Sequence, residues 1–177
     1  MIIFIVGYMG AGKTTVGRLL AKKINYSFID IDCFIENRYH KTISKIFEEV
    51  GETGFREIER RALLEISNYE NVVVSTGGGL PCFFDNMEVM NQTGITIYLR
   101  ENIDELTGRL NSNKHNRPLI KEKNPEELQN FIETNIKNRE PFYTQAKFII
   151  DVKKCSGKHE INQWIEELIS QFSTLNS

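Results

Sequence analysis

The residues with the clearest chemistry are Gly7-Tyr8-Met9-Gly10-Ala11-Gly12-Lys13-Thr14. They fit the pattern G-x-x-x-x-G-K-[ST] in full, and they stand where that pattern has meaning. The wholly apolar run Ile2 to Val6 precedes them, as expected of a strand buried on both faces of a parallel sheet. Val16, Leu19, Leu20 and Ile24 follow at helical spacing. Glycines let the loop wrap closely round a polyphosphate, its amide N–H groups form an anion nest, and the following helix aims its positive end at the ligand. Lys13 is placed to reach the terminal phosphates, and the Thr14 hydroxyl to ligate Mg²⁺. A chance glycine-rich turn would not need strand before and helix after, so the pattern points to nucleotide binding.

A second set of charges follows the next apolar segment, Ser27 to Ile31. Asp30 and Asp32 are two apart, so in extended chain they leave a strand end on one face. Ligands of open α/β sheets bind outside the carboxyl ends of the strands. An Asp32 N-cap on a helix Cys33 to Tyr39 accounts for one of the two carboxylates, and Mg²⁺ or a substrate hydroxyl for both. Further on, Arg56 and Glu59 are i,i+3 neighbours, which suits a surface ion pair as well as a site. Thr76-Gly77-Gly78-Gly79 closes the strand segment Asn71 to Ser75, where three glycines point to close approach of a ligand or another chain segment.

These residues need an α/β scaffold, and the chain supplies one. Apolar runs alternate with helical patterns throughout. Ile43, Ile46, Phe47 and Val50 mark a helical face, with Gly51 as its stop signal. A longer helix is expected from about Glu52 to Tyr69, with Phe47 and Phe55 in the core or lining a pocket. A helix Asp85 to Asn91, a strand Ile95 to Leu99 and a helix capped by Asn102 with Glu105 come next. Residues 111–124 are polar and lack a core-facing period, which suits a lid carrying Lys114 and Arg117, or a solvated loop. Asn124-Pro125-Glu126-Glu127 is a clean helix start. Phe148 to Val152 reads as a final buried strand, and His159 to Phe172 as a closing amphipathic helix.

At 177 residues and a net charge of −2, the chain has the size of one domain and no electrostatic case for nucleic acid or a membrane surface. Cys33, Cys82 and Cys155 are scattered and odd in number, and His40, His115 and His159 are equally dispersed. That excludes a disulfide framework or zinc motif and favours a reducing, cytoplasmic setting. The short apolar N-terminus is no signal peptide, and no apolar run approaches the roughly 20 residues of a membrane span. A soluble, cytoplasmic monomer of one domain is the expectation.

Taken together, the P-loop, Asp30-x-Asp32, Phe55-Arg56, Gly77-Gly78-Gly79, Arg117-Pro118-Leu119 and Arg139-x-Pro141-x-Tyr143 closely resemble the shikimate kinase family, in order and from about Ile2 to Asp151. The resemblance implies a P-loop NTPase three-layer sandwich, with a five-stranded parallel sheet flanked by helices and a lid. It implies transfer of the ATP γ-phosphoryl to the 3-hydroxyl of shikimate, a step of chorismate and aromatic amino-acid biosynthesis, with ATP and Mg²⁺ as cofactors. It further implies a shikimate-binding region at about 32–60 and a lid at about 111–124.

Roles come with it. Gly10, Ala11, Gly12, Lys13, Thr14 and Thr15 would hold the phosphates, with Thr14 and Asp30 at the metal. Asp32 would bind the shikimate hydroxyls and is the candidate base. Arg56 and Arg139 would clamp the carboxylate, and Gly78 would offer its backbone. Arg117 would descend with the lid as a catalytic charge beside Lys13, and Arg109 would lie near the adenine. Phe47, Phe55 and Glu59 fall around the same pocket. The chain departs from the family in offering Lys153-Lys154 where an arginine often meets the adenine. A related kinase of another hydroxy acid such as gluconate, and a non-catalytic nucleotide-binding module, are the rival readings. The set Arg56, Gly77 to Gly79 and Arg139 speaks against the first, and Asp32 with Arg117 against the second.

Overall fold

The computed structural model describes residues 1–112, 120–152, 163, 165–167 and 169–170. Five strands form one parallel sheet: β1 (Ile2–Val6), β2 (Ser27–Asp30), β3 (Val72–Ser75), β4 (Ile95–Arg100) and β5 (Phe148–Asp151), ordered β2-β3-β1-β4-β5. The helices α1 (Lys13–Ile24), α2 (Ile31–Tyr39), α3 (Ile43–Ile66), α4 (Asn86–Thr93), α5 (Ile103–Ser112) and α6 (Pro125–Tyr143) connect and flank it. Parallel neighbours require such crossovers, and the apolar β1 and β3, buried at every position, show why both sheet faces are covered.

Register decides where the chemistry goes. Asp30 at the end of β2 pairs with Ser75 at the end of β3, and Ser75 pairs with Ile5 of β1. The carboxyl ends of three adjacent strands therefore finish level with one another, and the loop after β1 opens directly onto them. On the far side of β1, Val6 pairs with Tyr98 of β4. Gly17 lets α1 lie close to the sheet, since a side-chain carbon there would come within 2.6 Å of the Phe28 ring.

Several boundaries differ from expectation. Asp30, not Asp32, is the N-cap of α2: its carboxylate accepts from the backbone N–H groups of Asp32 (3.2 Å) and Cys33 (3.4 Å), and the helix starts at Ile31. Gly51, by contrast, ends the first helical stretch as expected. It sits inside α3 with φ 69° and ψ −176°, a left-handed break between two helical stretches that glycine tolerates. Phe47 is 37 % exposed and meets the buried Phe55 at a tilt, with ring centroids 5.5 Å apart, rather than lying in the core.

β5 is an edge strand and not a buried one: Ile149 is 43 % exposed although the run Phe148-Ile149-Ile150 is apolar. The expected start of α6 holds, with Asn124 and Glu127 forming a reciprocal capping box. The expected closing helix and Lys153-Lys154 lie largely or wholly outside the described residues.

Candidate active site

Gly10 (φ 84°) and Gly12 (φ 90°) take left-handed conformations that turn the loop after β1 back over the start of α1. The first turn of α1 carries no acidic residue, so its unpaired N–H groups keep their attraction for an anion. Lys13 is buried, and its Nζ donates to the carbonyls of Gly7 and Tyr8, each at 2.9 Å. The ammonium thus braces the loop from within. Ala11 is also buried, and its N–H closes a turn onto the Tyr8 carbonyl at 3.2 Å.

Beside the loop, the Thr14 hydroxyl donates to Asp30 Oδ2 at 2.9 Å and lies 3.4 Å from the Ser75 hydroxyl. These are hard oxygen donors on three different elements, brought together by the register of β2 and β3. They suit Mg²⁺, which keeps several waters and takes few protein ligands beyond the nucleotide phosphates. Ser75 was not singled out in the sequence. A hydroxyl ending a Val-Val-Val strand is its signal there, readable once the strand order is known.

A cleft runs from this corner to the glycines, lined by Gly10, Gly12, Lys13, Thr14, Thr15, Asp30, Asp32, Thr76, Gly77 and Gly78. The three glycines serve space rather than unusual dihedrals, as none of them has positive φ. A side-chain carbon on Gly77 would meet Glu59 Oε1 at 2.9 Å and Asp32 Oδ1 at 3.1 Å, and one on Gly79 would meet Arg56 Nη1 at 2.9 Å. On Gly78 it would face Arg139 Nη1 at 3.6 Å. Two carboxylates and two guanidinium groups therefore crowd against one stretch of bare backbone.

Within this cluster, Arg56 Nη1 donates to Glu59 Oε2 at 2.6 Å and Nη2 to Glu52 Oε1 at 3.0 Å. Its guanidinium lies 4.3 Å from the centroid of the Phe83 ring. Glu59 is only 2 % exposed, which the surface ion-pair alternative cannot accommodate. Burial pushes its carboxyl up to about 7 against the pull of Arg56, with the Asp32 charge adding to the rise. Burial works against the charge of Arg56 too, but Glu59 and Glu52 more than restore it and hold its pKa above the ordinary value. Arg139, on α6, lies over the Tyr8 ring at 5.6 Å, and its positive charge bears on the Tyr143 hydroxyl.

Arg109, on α5, donates to the Gly10 carbonyl at 3.3 Å and pairs with the buried Glu101 at 2.9 Å, so it stands at the rim of the phosphate loop. Glu101 is a second residue that the sequence reading passed over. Arg117 and Lys114 lie outside the described residues. Among those described, no helix is long and apolar enough to cross a membrane.

A phosphate loop and a Thr–Asp–Ser oxygen corner line a cleft that ends at Asp32 and the glycines, beside a mixed carboxylate–guanidinium cluster, as in an enzyme joining a nucleotide to a small hydroxylated anion. Comparison with known proteins agrees. A family model described as shikimate kinase matches residues 9–171. The shikimate kinase of Parabacteroides distasonis is 51 % identical over 170 residues, covering 94 % of this chain and 98 % of its own. The crystal structure of shikimate kinase from Bacteroides thetaiotaomicron superposes with a TM-score of 0.94 at 47 % identity, covering 98 % of each chain. That of the Acinetobacter baumannii enzyme in complex with shikimate gives 0.85 at 34 % identity, over 98 % of this chain and 93 % of that one. With site, fold and sequence in agreement along nearly its whole length, the chain belongs to the shikimate kinase family.

Proposed function

We propose that this chain transfers the γ-phosphoryl group of ATP to the 3-hydroxyl of shikimate, and that the cleft described above performs the reaction. The observation that carries the reading is the adjacency of two chemistries. The cleft that holds the Thr14–Asp30 corner, closed at 2.9 Å, reaches Asp32, Gly77 and Gly78, the glycine stretch against which Arg56, Glu59 and Arg139 gather.

Each residue then has a task. Gly10 to Thr15 cradle the phosphates, and Lys13 exchanges the carbonyls of Gly7 and Tyr8 for the transferred phosphoryl group. Thr14 and Asp30 would hold Mg²⁺, which when bound neutralises charge on the phosphates. Arg56 and Arg139 provide two planar forks for a carboxylate, and Gly78 leaves backbone bare beside them. Asp32 meets the substrate hydroxyl and accepts its proton as the oxygen–phosphorus bond forms and the bond to ADP breaks. Arg109 stands on the nucleotide side, and Arg117 belongs to a lid at about 111–124. Residues 1–177 form one kinase domain, with substrate recognition at about 32–60. The net charge of −2 and the scattered cysteines support a cytoplasmic setting with no nucleic-acid or membrane partner, and the enzyme is read as a monomer.

ADP release from Mg·ATP, measured with shikimate, gluconate and other hydroxy acids in parallel, tests the reading. Strong turnover with shikimate alone is expected. Protein that binds ATP yet shows no stimulation by shikimate would refute the substrate and leave a nucleotide-binding scaffold.

A further inference from the structure

The motif Arg139-x-Pro141-x-Tyr143 contains a residue to which the reading above gives no task. Tyr143, the last residue of α6, is fully buried, with none of its surface exposed. Its hydroxyl donates to the carbonyl oxygen of Gly78 at 2.5 Å, across 65 residues of sequence. The Arg139 guanidinium, one helical turn earlier on α6, sits against the same glycine, its Nη1 3.6 Å from where a side-chain carbon on Gly78 would lie. Its ring rests on Tyr98 of β4, with centroids 5.1 Å apart. Burial holds the hydroxyl in its protonated form by raising its pKa, so it remains a donor to Gly78 throughout the working range of the enzyme.

One oxygen thus ties together three things that have no other reason to keep step. The sheet fixes the ring through Tyr98, the glycine loop is held through its carbonyl, and α6, which carries Arg139, is tied to that loop at Gly78. Arg139 is half-buried beside the Tyr8 ring, with Gly78 close to its Nη1. A guanidinium on a flexible stem would otherwise sample many rotamers, and ordering it at binding would weaken the complex.

We propose that Tyr143 is a positioning residue for the acid substrate: through its hydroxyl it sets the guanidinium of Arg139 and the backbone of Gly78 at a fixed separation, so that both meet the same anionic ligand. The proposal rests on the carboxylate-binding task given to Arg139 above. It names no contact between Tyr143 and substrate, and it places the effect on one substrate only. The phosphate loop takes its turns from Gly10 and Gly12 and its brace from Lys13, all made within the loop and α1, and it touches Gly78 through Met9 N and the Gly7 carbonyl.

Tyr143→Phe removes the oxygen and keeps the ring on Tyr98. Steady-state kinetics with each substrate varied in turn should show the KM for shikimate raised about 10-fold, the value for one well-aligned hydrogen bond, with the KM for ATP changed less than twofold. A purely structural role would move both constants together or neither, and either result would overturn the proposal. So would a variant already unfolded at the assay temperature, since the hydroxyl would then be a stability element. Arg139→Ala, run alongside, separates the two layers. If it leaves shikimate KM unchanged, the reading of Arg139 fails. If it raises that KM while Tyr143→Phe does not, only the positioning role fails. In the Arg139→Ala background, Tyr143→Phe should add less than twofold.

Discussion

Replacing Gly79 by alanine should separate stability from substrate binding. Gly79 has φ −87° and ψ −28°, an ordinary right-handed conformation that alanine adopts without strain. Loss of freedom in the unfolded chain alone would make the variant about 0.4–1 kcal/mol more stable. The added methyl, however, would lie 2.9 Å from Arg56 Nη1 and 3.1 Å from both Cζ and Nη2. Non-bonded contacts of this kind settle near ~3.5 Å or beyond, so the guanidinium must retreat by roughly half an ångström. It has little room to do so, with Phe83 4.3 Å away across its face and Glu59 Oε2 at 2.6 Å. A charge-assisted hydrogen bond contributes about 1.5–3 kcal/mol, so a misdirected fork should raise the KM for shikimate roughly 10- to 100-fold. Kinetics with each substrate varied, together with thermal melting, provide the assay. The expected variant stays folded at the assay temperature, melting no higher than wild type because overpacking against Arg56 outweighs the gain, and it binds ATP normally and shikimate poorly. An unchanged KM for shikimate would refute the steric argument, and a matching loss for ATP would refute its confinement to Arg56.

Further outcomes follow from the same geometry. Glu59 holds its proton to about pH 7 in the folded protein, against an ordinary value of 4.5, so the stability it contributes is complete below pH 4.5 and lost as the pH rises through 7. Relative to Glu59→Gln, wild type should therefore lose roughly 3 kcal/mol across that window in denaturant titrations, and a flat or rising difference would contradict the burial argument. Asp30→Asn keeps an N-cap of equal quality for α2 but removes a negative charge beside Thr14. Stability should change by less than about 0.5 kcal/mol, while the Mg²⁺ concentration for half-maximal rate rises at least several-fold. Unaltered Mg²⁺ dependence would remove Asp30 from the metal corner. Lys13→Ala should lower kcat by a factor on the order of 100 to 1,000 with a smaller effect on substrate affinities, and near-normal turnover would exclude Lys13 from the transfer.

Much of this arrangement could be read from residue order alone, for definite reasons. Strands β1 and β3 are buried on both faces, so their apolar runs have one interpretation, and the phosphate loop between β1 and α1 is fixed by the glycines and Lys13. Asn124 and Glu127 act within one helical turn, which is why their cap was legible. What failed depended on distant partners. The run Phe148 to Ile150 is as apolar as β1, and only the strand order makes it an edge. Phe47 neighbours the buried Ile46 on the expected helical face, yet it is half-exposed, because the stretch before Gly51 turns Ile46 to the core and Phe47 to its edge. Arg56 and Glu59 have the spacing of any surface pair, and the burial that distinguishes them comes from elements far away in sequence. The cap of α2 shifted from Asp32 to Asp30 because two carboxylates compete there and the register of β2 selects between them.

That register has a consequence for how such an enzyme can be altered. The meeting of Asp30, Ser75 and Thr14 is stored in backbone ladder bonds between β2, β3 and β1, where sliding by a single residue would turn every side chain over. The acceptor pocket is stored differently, in side chains of α2, α3 and α6 packed against bare glycine backbone. The first kind of information is digital and tolerates no partial change. The second is graded and can be rewritten one side chain at a time. Redesign toward a different hydroxylated acid therefore has a natural seam, between Asp30 and Asp32, along which the acceptor can be exchanged while the phosphate machinery is inherited whole.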